Sequence, residues 1–193
     1  MRIGLTGGGA TVDQVVAQAQ QAEADGFSAL WYASLVTGDP LVAIALAGRE
    51  TSAGQVADGT ILWMAPVKAV EAHVVPKITA AAAAAGRPAP RIVAGPPVAV
   101  HDELGEARSA AAESSQVYAG MANYQRILDL GDAASPADAA IVGNEKSVTR
   151  QLQALIDAGA TDIWAAVFPV GADREDRTAS IRRTTDLLRD LVT

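Results

Sequence analysis

The chain has 193 residues, of which 50% are hydrophobic and 19% are charged, and this composition is typical of a globular α/β protein. Its net charge of -7, with no cluster of lysine and arginine, argues against nucleic acid or an anionic membrane as a partner. The lack of cysteine excludes disulfides, thiolate catalysis and iron–sulfur ligation, and the 2 histidines leave little material for a metal site. The apolar stretches are too short to span a membrane, and the first strand begins without a signal peptide, so we expect a cytoplasmic protein.

The predicted elements alternate between strands and helices along the whole chain. In order they are strand 2–5, helix 12–25, strand 28–32, helix 40–56, strand 60–64, helix 67–85, strand 91–100, a helical region 103–130, helix 145–158, strand 161–168 and helix 177–191. Thr11 with Gln14 predicts a capping box at the first helix, and Pro76 should kink the helix that contains it. The βαβα alternation without a linker predicts one α/β domain over 1–193, with parallel strands and with helices outside them.

Three segments repeat one αβ unit, in which a helix ends at a glycine and the next strand ends at a tryptophan. The segments are 24–31, 57–63 and 157–164, and they contain every tryptophan of the chain. Their glycines are expected to end each helix in the left-handed conformation: Gly26, Gly59 and Gly159. Because α/β proteins bind ligands at the carboxyl ends of parallel strands, three indoles there predict a site for a flat ligand. The alternative is that each indole only plugs the end of the core.

Other candidate chemistry is sparse. The glycine-rich loop 6–9 (TGGG) follows the first strand and could offer backbone N–H groups to a phosphate, although a plain βα loop is the alternative. The sequence His101-Asp102-Glu103 fits a solvated helix start better than an acid/base pair. The one candidate group of site residues is aromatic, and its side chains suit stacking rather than proton transfer: Trp31, Tyr32, Trp63, Trp164 and Phe168.

Five segments carry a resemblance to a known family: 1–5 (MRIGL), 22–31 (AEADGFSALW), 45–49 (ALAGR), 56–64 (VADGTILWM) and 157–162 (DAGATD). On these residues the chain resembles the luciferase-like monooxygenase superfamily, in particular its oxidoreductases that depend on the deazaflavin coenzyme F-420. The resemblance implies a (β/α)8 TIM-barrel type of fold that binds FMN or coenzyme F-420 at the carboxyl ends of its strands and transfers a hydride to or from an unknown small organic substrate. It further implies a cofactor site formed by Leu5, Thr6, Trp31, Tyr32, Ser34, Trp63, Met64, Gly95 and Phe168, and the glycine-rich loop adds Gly7 and Gly8 as candidates for binding the cofactor phosphate.

The chain departs from the family pattern in two places. A full barrel has eight strands in about 250 residues, whereas this chain predicts a partial barrel of about five, because two family segments are fused near Ser52-Ala53. In relatives, the stretch missing there carries the strand that supports the flavin ring and the loop that grips the cofactor phosphate. The second strand also lacks the family's catalytic histidine, since it reads WYASL at 31–35.

These features leave two functions open and predict an architecture. The chain is either a flavin- or deazaflavin-dependent oxidoreductase, or a catalytically inactive partial barrel that serves in binding or assembly. If the five strands keep their barrel neighbours, they form an open parallel sheet in the order 2-1-5-4-3. The second and third strands are then unpaired edges, and we expect a homodimer or higher oligomer that covers them.

Overall fold

The computed structural model describes residues 4–7, 11–26, 29–32, 47, 50–51 and 59–191. The chain divides into two compact units, 1–58 and 59–193. Every strand pair within the described ranges is parallel. The protein is therefore of the predicted α/β class, in which helices alternate with parallel strands, while the assignment of one domain stays a prediction.

The first unit contains one βαβ repeat: β1 (Gly4–Gly7), α1 (Val12–Ala24) and β2 (Ala29–Tyr32). Strands β1 and β2 are parallel neighbours, as predicted for the first two strands. The side-chain Oγ1 of Thr11 accepts a hydrogen bond from the N–H of Gln14 at 3.3 Å, which is one half of the predicted capping box. The predicted helix 40–56 lies almost entirely outside the described residues.

The second unit contains all the other described elements. In chain order they are β3 (Gly59–Trp63), α2 (Val67–Ala69), a π-helical turn (Val70–Val74), α3 (Val75–Ala84), β4 (Arg91–Gly95), β5 (Pro97–Val100), α4 (Leu104–Ser115), a 3-10 turn (Gln116–Tyr118), α5 (Ala122–Leu130), a second 3-10 turn (Pro136–Ala139), β6 (Ile141–Gly143), α6 (Glu145–Asp157), β7 (Asp162–Ile163), β8 (Ala166–Val167) and α7 (Arg174–Asp190).

Two parallel sheets of three strands follow each other in this unit, in the orders β3-β4-β7 and β6-β5-β8. Only Pro96 separates β4 from β5 in the chain. The N–H of Ala166 donates to the carbonyl of Pro96 at 3.0 Å, so the ladder between predicted strands 91–100 and 161–168 continues through the break. The first part of the predicted fourth strand, β4, thus lies between the third and the fifth, as the order 2-1-5-4-3 requires, whereas its second part, β5, lies between the unpredicted β6 and the second part of the fifth. The pairing of the fifth strand with the first stays a prediction.

The strand boundaries correct the sequence prediction in two respects. Strand β6 was not predicted, because three apolar residues are too short a run to distinguish a strand from a loop. The predicted strands 91–100 and 161–168 are each divided in two. Pro96 divides the first, since proline has no N–H to give to a ladder, and Trp164 with Ala165 divides the second.

The helices differ from the prediction at their ends. The predicted helical region 103–130 is two helices, α4 and α5, with a 3-10 turn after the first. Helix α7 begins at Arg174 rather than at residue 177, because the Asp173 carboxylate caps it by accepting hydrogen bonds from the N–H groups of Glu175 and Asp176. Pro76 follows a π-helical turn in which the N–H of Val75 donates to the carbonyl of Val70, and this wider turn precedes the position where proline interrupts regular α-helical bonding.

The three repeat glycines do not share one conformation. Gly26 and Gly159 have φ angles of 77° and 100°, as predicted for glycines that end a helix. Gly59 instead is the first residue of β3 and pairs with Arg91, without a positive φ. The prediction was wrong for Gly59, since the strand there begins earlier than the pattern of the other two repeats indicates.

Side chains of β4 and β5 alternate between two faces of the sheets. On one face, Ala94, Val98 and Val100 form the main core with Val148, Leu152 and Leu155 of helix α6. On the other face, Ala99 packs with Ala107 and Ala111 of helix α4. None of the helices in the described ranges combines the length and the apolar character that a membrane span requires.

Candidate functional site

Three residues end neighbouring parallel strands and form a row at the carboxyl edge of the first sheet. Trp63 is the last residue of β3 and pairs in register with Gly95, the last residue of β4. Trp164 follows directly after β7, where its backbone N–H donates to the carbonyl of Ala94 at 2.8 Å. We refer to Trp63, Gly95 and Trp164 as the Trp–Gly–Trp row. The repeat pattern in the sequence therefore predicted correctly that these two tryptophans lie at the carboxyl edge of one parallel sheet, where β4 separates their strands.

The two indoles of the row meet above the glycine. Their ring centroids are 5.2 Å apart with an interplanar angle of 45°. Strands β3 and β7 flank β4, so their backbones are about 9.6 Å apart, and the rings approach each other because the residue between them has no side chain. A Cβ on Gly95 would lie 2.9 Å from Cε3 of Trp164, which is closer than van der Waals contact. Gly95 thus lets a flat ring lie directly on the backbone of β4.

Trp63 also contacts Tyr118, which in turn contacts Tyr124. Its ring centroid lies 5.9 Å from that of Tyr118, at an interplanar angle of 65°, and Tyr118 lies 4.9 Å from Tyr124 at 62°. Both pairs have the edge-to-face geometry that aromatic rings prefer. Burial, and to a smaller extent the neighbouring Tyr118, raises the pKa of the Tyr124 phenol. Tyr118 thus packs on one side of the Trp63 indole and is itself packed against Tyr124.

The indole N–H of Trp63 is buried and finds no hydrogen-bond acceptor among the residues that the structure describes. A buried donor without a partner costs about 1–3 kcal/mol, so its position calls for a physical explanation. The other indole of the row, Trp164, is 50% exposed. The row thus combines an unpartnered buried donor on Trp63 with a bare backbone at Gly95 on the neighbouring strand.

Two further residues of the implied cofactor site have their side chains in the core. Met64 has a left-handed backbone with φ of 58°, and its N–H donates to the carbonyl of Gly95 at 2.9 Å. Its side chain is 1% exposed and packs with Leu128 and Ala139. Phe168 is 7% exposed and belongs to the core cluster of helix α4 rather than to the aromatic cluster around Trp63.

The remaining residues of the implied site belong to the first unit. In the ladder of β1 and β2, Leu5 pairs with Leu30, Thr6 with Trp31, and Gly7 with Tyr32. Gly8 and Ser34 lie outside the described residues. A role for these residues in cofactor binding stays a prediction.

Sequence reasoning missed two members of the aromatic cluster. Tyr118 and Tyr124 lie in the helical region after β5, where no repeat or spacing distinguishes them from other surface residues. The one available signal is that two of the 3 tyrosines of the chain lie close together in sequence. Trp164 was predicted as part of the aromatic constellation but not as a residue of the implied cofactor site.

A cluster of charged groups lies at the end of β5. The guanidinium of Arg183 in α7 donates to Asp102, with Nη1 and Oδ2 2.9 Å apart, and to Glu145, with Nε and Oε1 2.6 Å apart. Hydrogen bonds from Arg183 hold the pKa values of both carboxyl groups below their usual range. His101 Nε2 lies 2.9 Å from Oε2 of Glu106. These contacts agree with a structural role for 101–103 at the start of a helix. In the described part of the chain, no group of three His, Cys, Asp or Glu residues is placed to hold a metal ion.

No protein-family model and no curated protein matches the chain. The solved structures that are similar to it include three at low identity. The coenzyme F-420 dependent tetrahydromethanopterin reductase from Methanopyrus kandleri has 16% identity and a TM-score of 0.45. Apo-MsnO8 has 17% identity and a TM-score of 0.44, and the monooxygenase RslO1 from Streptomyces bottropensis has 15% and 0.40.

The three similarities extend over 89%, 93% and 100% of this chain, which spans only 47%, 61% and 48% of the respective structures.

Proposed function

We propose that the chain is an oxidoreductase of the luciferase-like kind that uses FMN or the deazaflavin coenzyme F-420, and that the flat ring of this cofactor binds on Gly95 beside Trp63. The observation that carries the proposal is that Gly95, at the carboxyl end of β4, accommodates a flat ring directly on its backbone, as the indole of Trp164 lying against it demonstrates. Ligands of α/β proteins bind at this edge, and aromatic stacking is worth about 0.5–1.5 kcal/mol beyond burial. The sequence resemblance supplies the class of cofactor.

In this proposal the cofactor supplies the hydride chemistry, and the protein supplies a stacking surface and orientation. The Trp63 ring is held edge-on by Tyr118, so its orientation is set before the ligand arrives. Gly95 permits close approach of the ring to the backbone of β4. The chain has no cysteine and only 2 histidines, so redox chemistry has to come from a bound cofactor.

The proposal is tested by titrating the purified chain with FMN and with coenzyme F-420 while following tryptophan fluorescence. We expect saturable quenching by one of them, and an affinity about fivefold to tenfold weaker in Trp63→Phe, per folded molecule, because the substitution removes stacking area and the indole N–H. If Trp63 only plugs the core, Trp63→Phe lowers the melting temperature and leaves the affinity unchanged. No quenching by either cofactor at high micromolar concentration would remove the enzyme interpretation.

A catalytically inactive partial barrel that serves in binding or assembly is the second candidate function. Two observations favour it: the sequence fuses two segments of the implied family near Ser52-Ala53, which removes strands of the full barrel, and the Trp164 ring lies against Gly95, where a flat ligand would stack. The absorbance of the purified protein distinguishes the candidates, since bound flavin or deazaflavin absorbs between about 400 and 450 nm and an inactive module has no such band.

A further inference from the structure

The spacing in the Trp–Gly–Trp row is too small for a ligand to enter as the rings now lie. Carbon atoms in contact are about 3.5 Å apart, so a flat ring between two indoles needs them about 7 Å apart. The centroids of Trp63 and Trp164 are 5.2 Å apart, and Cε3 of Trp164 lies where a Cβ of Gly95 would be in close contact. The surface of Gly95 that a flat ligand would cover is covered by an indole of the chain itself.

The two indoles differ in how firmly they are held. The Trp63 ring contacts Tyr118, and its Nε1 is buried. Trp164 lies at the break between β7 and β8 and is 50% exposed, so its side chain can turn away without opening the core. A ligand that displaces one of the two rings therefore displaces Trp164.

The buried N–H of Trp63 gives this displacement a chemical consequence. The donor has no acceptor among the described residues, and a buried donor without a partner raises the free energy of the state that contains it. The indole of Trp164 cannot accept this hydrogen bond, because its one nitrogen is a donor. A heteroaromatic ring with a carbonyl oxygen or an unprotonated ring nitrogen at its edge can accept it. The site therefore selects for flat ligands that carry such an acceptor.

We infer that Trp164 occupies the place of a flat heteroaromatic ring over Gly95, and that a ligand with an acceptor at its edge displaces Trp164 and takes the hydrogen bond of Trp63 Nε1. This inference rests on the proposed function for the location of the site and adds two roles to it. Trp164 controls access to the site, and Trp63 selects the ligand through its donor. Since the apparent affinity of a site falls with the fraction of molecules in which it is open, removing Trp164 strengthens binding.

The test uses lumiflavin, a flavin ring without a phosphate, with its own fluorescence as the readout of binding. Trp164→Ala is expected to bind lumiflavin about tenfold more tightly than the wild type. Trp164→Phe is the matched control, since it keeps a ring over Gly95, and it should stay within about threefold of the wild type. In the Trp164→Ala background, Trp63→Phe keeps an aromatic ring but removes the donor and should weaken binding about fivefold to tenfold. Far-UV circular dichroism confirms that each variant is folded, which we expect because Trp164 is half exposed.

Movement of Trp164 is measured separately by fluorine NMR on wild-type protein labelled with 5-fluorotryptophan. Lumiflavin should shift the Trp164 resonance, which Trp164→Phe identifies by its disappearance. Weaker lumiflavin binding by Trp164→Ala than by the wild type would mean that Trp164 is a fixed stacking wall, and this overturns the inference while the proposed function remains. Absence of lumiflavin binding in every variant overturns it as well. Failure of the proposed function is recognised independently, by the lack of FMN or coenzyme F-420 binding to the wild type.

Discussion

At the scale of single residues, the candidate site depends on what two positions lack. Gly95 lacks a side chain, so indoles from the strands on both sides of β4 come within 5.2 Å of each other. Trp63 Nε1 lacks an acceptor among the described residues, although it is buried. An ordinary protein core shows neither feature, because its side chains fill the available space and its buried polar atoms are hydrogen-bonded. Their occurrence together distinguishes this edge of the sheet from the rest of the core.

Met64 provides a prediction about the backbone beside this site. Its φ of 58° is a left-handed conformation, which costs a residue with a Cβ about 1–2 kcal/mol relative to glycine. Its side chain is buried, so Met64→Ala should lower the free energy of unfolding by about 2–5 kcal/mol. Met64→Gly should destabilise no more than Met64→Ala in urea unfolding, because glycine relieves the strained conformation. A glycine variant that is clearly less stable than the alanine variant would show that the backbone is not strained.

At the scale of elements, one arginine of the second unit connects three of its elements near the end of β5. Arg183 of α7 binds both Asp102, which follows β5, and Glu145, the first residue of α6. The side chain of Arg183 is 37% exposed, so the contribution of these ion pairs to stability is modest. Their main effect is to fix the end of β5 and the start of α6 to the middle of α7.

The arginine makes this part of the fold sensitive to acid. Because the pKa values of Asp102 and Glu145 are lowered in the folded protein, the ion pairs contribute fully above the carboxylate pKa of the unfolded chain and lose their contribution as the pH falls through the lowered values. Arg183→Gln should therefore reduce the melting temperature by about 2–4 °C at neutral pH, with a difference that shrinks below about pH 4. The exposed neighbour Arg182 provides the control variant, Arg182→Gln. An equal penalty for Arg183→Gln at neutral and at strongly acidic pH would contradict the account.

The elements also show what the sequence could predict. The placement of Trp63 and Trp164 at one sheet edge was predictable, because the same αβ pattern precedes each and parallel strands bring their carboxyl ends to one edge, but their contact over Gly95 was not. The tyrosines were not predictable either, because Tyr118 reaches Trp63, and Tyr124 reaches Tyr118, by tertiary packing, which leaves no periodic signal. Strand β6 was missed because its pairing with β5, rather than its three residues, makes it a strand.

At the scale of the whole molecule, the expected homo-oligomer stays a prediction with a direct test. Within the described ranges β3 pairs only with β4, and Ile61 on β3 is 38% exposed. Exposed apolar strands at a sheet edge favour pairing with another chain, so light scattering at tens of micromolar should give a dimer or larger species. Ile61→Lys should shift the distribution toward the monomer, whereas Ile181→Lys, at a similarly exposed position on α7, should not. A wild-type monomer would refute the prediction.

The central claim is that a flat cofactor ring lies on the backbone of β4 at Gly95, and the affinity of Gly95→Ala for FMN and coenzyme F-420 tests it most directly. The added Cβ would lie 2.9 Å from the indole of Trp164 and would occupy the surface on which a ring stacks. The control is Gly105→Ala, where a Cβ meets no atom within 4 Å. The account predicts that Gly95→Ala binds the cofactor at least about tenfold more weakly per folded molecule, and that Gly105→Ala binds it like the wild type. Unchanged affinity in a folded Gly95→Ala variant would contradict the account.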